Sequence, residues 1–215
     1  VDVVEVLKGV CLDKRFSPIM GDGSRISPSM TTYVEAGCGF GGSCFPKDVK
    51  ALIEYGERKQ SSMQLLRSVI NINADQPNRL IELIEKHHPD VAGKRVAVLG
   101  IAFKPGTDDV RESPSLTLVR ELRTKGAKVS AFDPIAMETG REELGSDGII
   151  YAESIEQCIE GADVVVVATR WPEFLVLPKL LAASGAKPLV VDGRRMFQPD
   201  QLPAYEGIGL SLTGA

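Results

Sequence analysis

From residue 94 to residue 191 the chain alternates short β-branched runs with stretches of helical period, and that alternation leaves few folds open. Lys94–Leu99, Ala127–Phe132, Asp163–Thr169 and Pro188–Val191 each read as a strand. The run Val164-Val165-Val166-Val167 has no polar alternate, the mark of a strand buried on both faces. Between the strands, Ser115–Lys125 is an amphipathic helix, and residues 171–181 read as helical although Pro172 and Pro178 shorten the pattern. Buried strands separated by helices need crossover connections. The expectation for residues 91–215 is therefore an α/β fold with a doubly wound parallel sheet.

Residues 1–90 have a different texture, mostly helical and interrupted by the Gly/Ser/Pro-rich stretch Ser17–Thr32. Leu65, Leu66, Val69 and Ile70, then Leu80, Ile81 and Ile84, form a wide apolar stripe at helical spacing. Such a stripe reads as core or as a subunit interface. Pro77 has no N–H for the Asn73 carbonyl, so a kink or break is expected there. His87 and His88 close the helix before Pro89, where cations suit the negative helix end; with no partner ligands in view they make no metal site.

Chemistry concentrates in Gly37-Cys38-Gly39-Phe40-Gly41-Gly42-Ser43-Cys44-Phe45-Pro46-Lys47-Asp48. Glycines allow positive φ and a close approach of backbone to a ligand. Pro46 suits the first turn of a helix, which places Cys44 at the positive end of the helix dipole, where thiolate is favoured. Lys47 and Asp48 follow at three and four residues, on the same helix face. A thiol beside a cation and a carboxylate suits covalent acyl chemistry. Cysteine more often packs as a small hydrophobe, and that reading fits Cys11, Cys158 and Cys38. Gly37, Gly39 and Gly42 also spell G-x-G-x-x-G, but no βαβ unit surrounds them, so they are rejected as a dinucleotide loop.

Ligands of open α/β sheets sit beyond the carboxyl ends of the strands. Gly100–Lys104, Asp133-Pro134, Thr169-Arg170-Trp171 and Asp192-Gly193-Arg194-Arg195 all leave strands there. Lys104, Arg111, Arg194 and Arg195 would gather positive charge at one edge, as a diphosphate requires. Singly, each would be ordinary solvated surface. Ser113 and Pro114 read as a helix N-cap and first residue, which does not account for Arg111 beside them.

The run Gly39–Asp48 closely resembles the catalytic loop of the UDP-glucose/GDP-mannose dehydrogenase family. Gly100–Ser115 and Asp192-Gly193-Arg194-Arg195 resemble two further segments of that family, in the same order. The resemblance implies a helical central domain over residues 1–90 and a Rossmann-like nucleotide-sugar-binding domain over 91–215. Members oxidise a nucleotide sugar at C6 to the uronic acid with NAD. They carry an N-terminal Rossmann domain for that cofactor and a helix supplying a lysine and an asparagine. Val1–Lys8 reads as helix and no G-x-G-x-x-G follows a strand, so the expectation is the C-terminal half of such an enzyme, inactive alone.

By the same resemblance, Cys44 captures the C6 aldehyde as a thiohemiacetal and then carries a thioester. Asp48 orients or deprotonates water, and Lys47 steadies charge on oxygen. Tyr33, Phe40, Gly41, Phe103 and Lys104 hold the sugar nucleotide, Arg194 its phosphates, and Arg111 reaches toward NAD. Arg25-Ile26 resembles a segment whose arginine reaches a neighbouring subunit, at a spacing a few residues too long. The long helix around Pro77 implies a homodimer. UDP is favoured over GDP as the nucleotide. A non-catalytic nucleotide-sugar-binding dimerisation module is the alternative, to be separated by the sequence preceding Val1. Four cysteines without a framework suit a reducing, cytoplasmic setting, and no signal peptide opens the chain. A net charge of −4 gives no reason for a nucleic-acid partner, and no apolar run is long enough to span a membrane.

Overall fold

The computed structural model describes residues 1–210. Three helices lead the chain: α1 (Val3–Val10), α2 (Phe45–Arg58) and α3 (Gln64–Glu85), with a 3-10 turn at Ser29–Val34 between the first two. Then come β1 (Arg95–Leu99), α4 (Pro114–Thr124), β2 (Lys128–Phe132), α5 (Met137–Leu144), β3 (Ile149–Tyr151), α6 (Ile155–Ile159) and β4 (Val164–Val167). A 3-10 turn at Pro172–Val176 runs into α7 (Leu177–Ser184), followed by β5 (Leu189–Asp192) and β6 (Tyr205–Gly207). All pairings are parallel and the strand order is β3-β2-β1-β4-β5-β6, so the order reverses beside β1. This is the Rossmann-type doubly wound sheet.

Two strands escape the sequence patterns. β3 and β6 hold three residues each and lie at the two edges, too short for a β-branched run to stand out. The pleat divides the core into two layers. Val96, Val98, Val164 and Val166 face α3 and α4, packing on Leu80, Ile84, Leu118 and Leu122. Ala97, Leu99, Val165 and Val167 face the other way, onto Ile155, Phe174, Leu177 and Leu181. Each such aliphatic side chain contributes about 1.5–3 kcal/mol by leaving water.

Pro77 does not break its helix: α3 is helical from Gln64 through Glu85 with Pro77 inside it. A proline in a helix interior costs about 3 kcal/mol. Here Pro77 is buried, and Leu80, Ile81 and Ile84 beyond it dock on the sheet, so packing outweighs the lost hydrogen bond. The helix ends as Lys86 and His87 both reach Oε1 of the buried Glu206 on β6, each at 2.7 Å. At the other end of the chain Asp2 caps α1 by accepting from Val4 N–H. Asp2 also binds Arg195 through two hydrogen bonds of 2.8 and 2.7 Å, fastening α1 to the sheet edge. Arg25 donates to the carbonyls of Leu12 and Cys11 and so closes the end of α1 locally. Among the described residues no helix is long and apolar enough to cross a membrane.

Candidate functional site

Two loops build the site: Gly37–Cys44, which runs into α2, and Gly100–Ser113, which leaves β1 and runs into α4. Buried carboxylates hold the strand ends in place. Asp133, wholly buried after β2, accepts from the N–H groups of Ile101 and Ala102, from those of Ile135 and Ala136, and from the indole of Trp171. Asp192, at the end of β5, accepts from Arg194, Met196 and Phe197 N–H and from the Tyr205 hydroxyl. Burial pushes the Asp192 carboxyl up, against the pull of those donors. Thr169 Oγ1 donates to the Ala102 carbonyl at 2.6 Å and Ser113 Oγ to that of Ile101 at 2.7 Å. The backbone leading into Phe103 and Lys104 is thus fixed from three sides.

The cysteine loop lies against this frame. A Cβ on Gly41 would collide with the Glu112 carbonyl oxygen, and one on Gly42 would stand 2.8 Å from the Phe103 ring. These glycines therefore admit the protein's own groups, a finding the sequence reading assigned to a ligand. Gly42 N–H donates to the Arg111 carbonyl at 2.8 Å. Arg194 donates to the Ala168 and Gly39 carbonyls at 2.7 and 3.2 Å. Phe40 meets Phe45 edge-on, with ring centroids 4.7 Å apart.

Cys44 itself is the N-cap of α2, exposed, with Pro46 in the first turn. Its sulfur lies 3.6 Å from Ser43 Oγ. Cys38 and Cys158 are buried, and burial pushes both thiols up, Cys158 to about 12. Asp48 N–H donates to the Cys44 carbonyl at 2.9 Å, so Lys47 and Asp48 stand one turn along, exposed and paired with each other at 3.4 Å. On the facing loop Arg111 makes a two-pronged contact with Asp109, at 2.9 and 2.8 Å, that holds the Asp109 carboxyl low. The Arg111 guanidinium is held correspondingly high by the same Asp109 pair. A cleft of about 930 Å³ opens between these parts, lined by Phe40, Ser43, Lys47, Asn73, Arg111 and Glu112 among others.

The expected cations are not equally available. Arg194 is occupied by carbonyl oxygens, Arg195 by Asp2 and Arg111 by Asp109. Lys104 stands over the Phe103 ring, 5.4 Å from its centroid, with no ion pair among the described residues. Of the four cations expected at this edge, Arg111 and Arg195 are thus paired with carboxylates within the chain, Arg194 is held by neutral carbonyls, and Lys104 carries no pair among the described residues. Tyr33, on the Ser29–Val34 turn, is 91% exposed. Sequence reading passed over Asn73, Asp109 and Glu112, and gave Asp133 no role. Asp133-Pro134 at a strand end was the one visible signal among these.

The sequence profile of the UDP-glucose/GDP-mannose dehydrogenase family, central domain, matches residues 1–75, and that of the same family's UDP binding domain matches residues 97–199. The chain belongs to this family. The UDP-glucose 6-dehydrogenase of Haloferax volcanii is 38% identical over 208 residues, covering 97% of this chain and 44% of the relative. That of Pseudomonas aeruginosa is 37% identical over 224 residues, covering 100% of this chain and 47% of the relative. The structure of a UDP-glucose dehydrogenase from Pyrobaculum islandicum superposes with a TM-score of 0.80 at 36% identity, covering 98% of this chain and 44% of that one. A ternary complex of GDP-mannose dehydrogenase from Pseudomonas aeruginosa gives 0.68 at 26% identity, over 97% and 46%. The chain spans somewhat under half the length of the family members it matches.

Proposed function

We propose that this chain is the central and nucleotide-binding part of a nucleotide-sugar 6-dehydrogenase, with Cys44 as its covalent nucleophile. The carrying observation is that the loop ending in the exposed Cys44, at the head of α2, lies against the Phe103–Arg111 loop at the carboxyl edge of the sheet, with Gly42 N–H on the Arg111 carbonyl and the Phe103 ring against Gly42. The names of the relatives support a UDP-sugar as substrate and UDP-glucose first. Residues 1–90 form the unit that carries the thiol, and residues 91–215 the unit that binds the nucleotide.

NAD fits this chain at one point only. The G-x-G-x-x-G at residues 37–42 cannot cradle a pyrophosphate, because Arg194 fills the space at Gly37 and Phe103 that at Gly42. Arg111, in the cleft lined also by Ser43 and Lys47, is the residue here that would reach a cofactor held mainly by another domain. When bound, NAD supplies the hydride acceptance that each of the two oxidations at C6 requires.

The chain's own residues do the rest. Phe103 and Lys104 hold the nucleotide, with Lys104 as the available cation; Arg194 fixes the loop that the sugar must lie along, and Phe40 and Gly41 line it. The Cys44 thiolate adds to the C6 aldehyde carbon as a thiohemiacetal, which keeps the aldehyde bound between oxidations. After the second oxidation the carbon is a thioester, and water attacks it while Asp48 takes the water's proton. The carboxylate leaves and the thiolate is regenerated. Lys47 offsets negative charge on the oxygen. The 215-residue chain alone turns over no substrate under this reading. The exposed apolar side chains Leu52, Tyr55, Leu65 and Ile72 on α2 and α3 form the face through which two copies pair.

Calorimetry with UDP and GDP tests the nucleotide site. UDP should bind better than GDP, and Lys104→Ala should weaken UDP roughly tenfold, the worth of one charge-assisted hydrogen bond. Equal affinity of parent and variant would remove Lys104 from the site.

A further inference from the structure

Of the three α3 residues that line the cleft, Asn73, Ala74 and Pro77, only Asn73 is polar. Its carboxamide does something specific. Oδ1 accepts from Phe40 N–H at 2.7 Å, and Nδ2 donates to the Phe40 carbonyl at 3.0 Å. One side chain thus satisfies both backbone groups of one loop residue, as a neighbouring strand would. Gly39 makes this approach feasible: its φ is +114°, and a Cβ there would stand 3.0 Å from Asn73 Oδ1.

The consequence lies four residues on. Gly39, Gly41 and Gly42 surround Phe40, and glycine loses more conformational freedom on ordering than any other residue. A segment of that composition needs an external clamp to hold one geometry. Asn73 supplies it from a helix whose far half is rooted in the sheet core through Leu80, Ile81 and Ile84. From Phe40 the path continues by ring contact to Phe45, the first residue of α2, and so to its N-cap Cys44. Asparagine is a poor helix former, so its place in the middle of α3 needs a compensating contact, and Phe40 provides it.

We propose that Asn73 is a positioning residue for the Cys44 thiol, acting through Phe40 to set the glycine loop and the first turn of α2. The proposal rests on the reading of Cys44 as nucleophile and deepens it. Already exposed, the thiol gains no access when the clamp is cut; it loses its fixed place at the helix start.

The test compares the parent chain with Asn73→Ala and Asn73→Asp. Three quantities are measured: amide exchange at Phe40, initial iodoacetamide labelling of Cys44 relative to Cys11, and the thermal midpoint. In Asn73→Ala, Phe40 exchange should accelerate at least tenfold and the Cys44-to-Cys11 labelling ratio fall at least threefold, with UDP affinity within twofold of the parent. Asn73→Asp keeps the acceptor for Phe40 N–H and loses the donor, so it should retain Phe40 protection and lower the ratio about twofold. A merely structural role would lower the thermal midpoint and leave the ratio where it was, which would overturn the proposal. Should Asn73→Ala not fold, an unchanged ratio in Asn73→Asp overturns it equally. A parent chain in which Cys44 labels no faster than Cys11 would refute the nucleophile reading instead, so the two failures separate.

Discussion

The two halves of this chain bury their apolar residues very differently. Every residue of β4 and β5 is buried, whereas α1 buries none, α2 three and α3 four, all four of them from Pro77 onward. The sheet half carries a core of its own on both faces. The helical half is held to it by the apolar far end of α3, Leu80, Ile81 and Ile84, and by polar fasteners: Asp2 on Arg195, Arg194 on the Gly39 carbonyl, and Lys86 and His87 on Glu206. Apolar side chains meanwhile face outward, Leu65 with 77% of its surface exposed. Cys44 sits in the half with little core, and the loops braced by Asp133 and Asp192 sit in the half with much.

Unfolding experiments should break this contrast most sharply if it is wrong. Phe174, wholly buried against the sheet, should cost about 3–5 kcal/mol when changed to alanine. Leu12→Ala, at a side chain 68% exposed beyond α1 and outside the proposed pairing face, should shift stability by no more than about 0.5 kcal/mol. Comparable losses in urea titrations would mean that the helical half has a core after all.

A smaller effect concerns the fasteners. Burial pushes the Glu206 carboxyl up, but its hydrogen bonds with His87 and Lys86 and their charges prevail, so it is held below the ordinary value of 4.5. Because the folded value lies below the ordinary one, the contact stabilises the fold above that range and is lost as pH falls through the folded value. The chain should therefore lose thermal stability on acidification below the usual glutamate range, and Glu206→Gln should flatten that part of the profile. An unchanged acid limb would show that this fastener does not couple α3 to β6.

The smallest expected effect is at Glu112, whose φ of +55° is unusual for a residue with a side chain. Glu112→Gly should relieve about 1 kcal/mol of strain. It also gives up the exposed pair with Lys50, worth about 0–1 kcal/mol, so the net change in thermal midpoint should be small and upward or absent. A large loss would mean that the Lys50 contact holds α2 to the loop after β1.

These contrasts show what the sequence could reveal. β1, β4 and β5 were legible because valine-rich runs buried on both faces carry their own signature, and the head of α2 because Cys44 and Pro46 mark it. β3 and β6 were not, since three residues give no periodicity. Pro77 misled for a physical reason: local propensity predicts a break, and burial of Leu80, Ile81 and Ile84 overrides it. The arginines mark a different limit. Charge is visible in a sequence, but its partners are not, and Arg194 and Arg195 turned out to be tied to Ala168, Gly39 and Asp2. Asn73 was invisible for the same reason, its partner lying 33 residues away.

The central claim is that Cys44 is the thiol presented to a bound nucleotide sugar. Brief iodoacetamide treatment near neutral pH, with and without UDP-glucose, followed by peptide mapping, tests it most directly. Cys44 should label ahead of Cys11, Cys38 and Cys158 should stay unmodified, and UDP-glucose should slow Cys44 alone. Labelling of Cys11 first, or a Cys44 rate indifferent to UDP-glucose, would contradict the account.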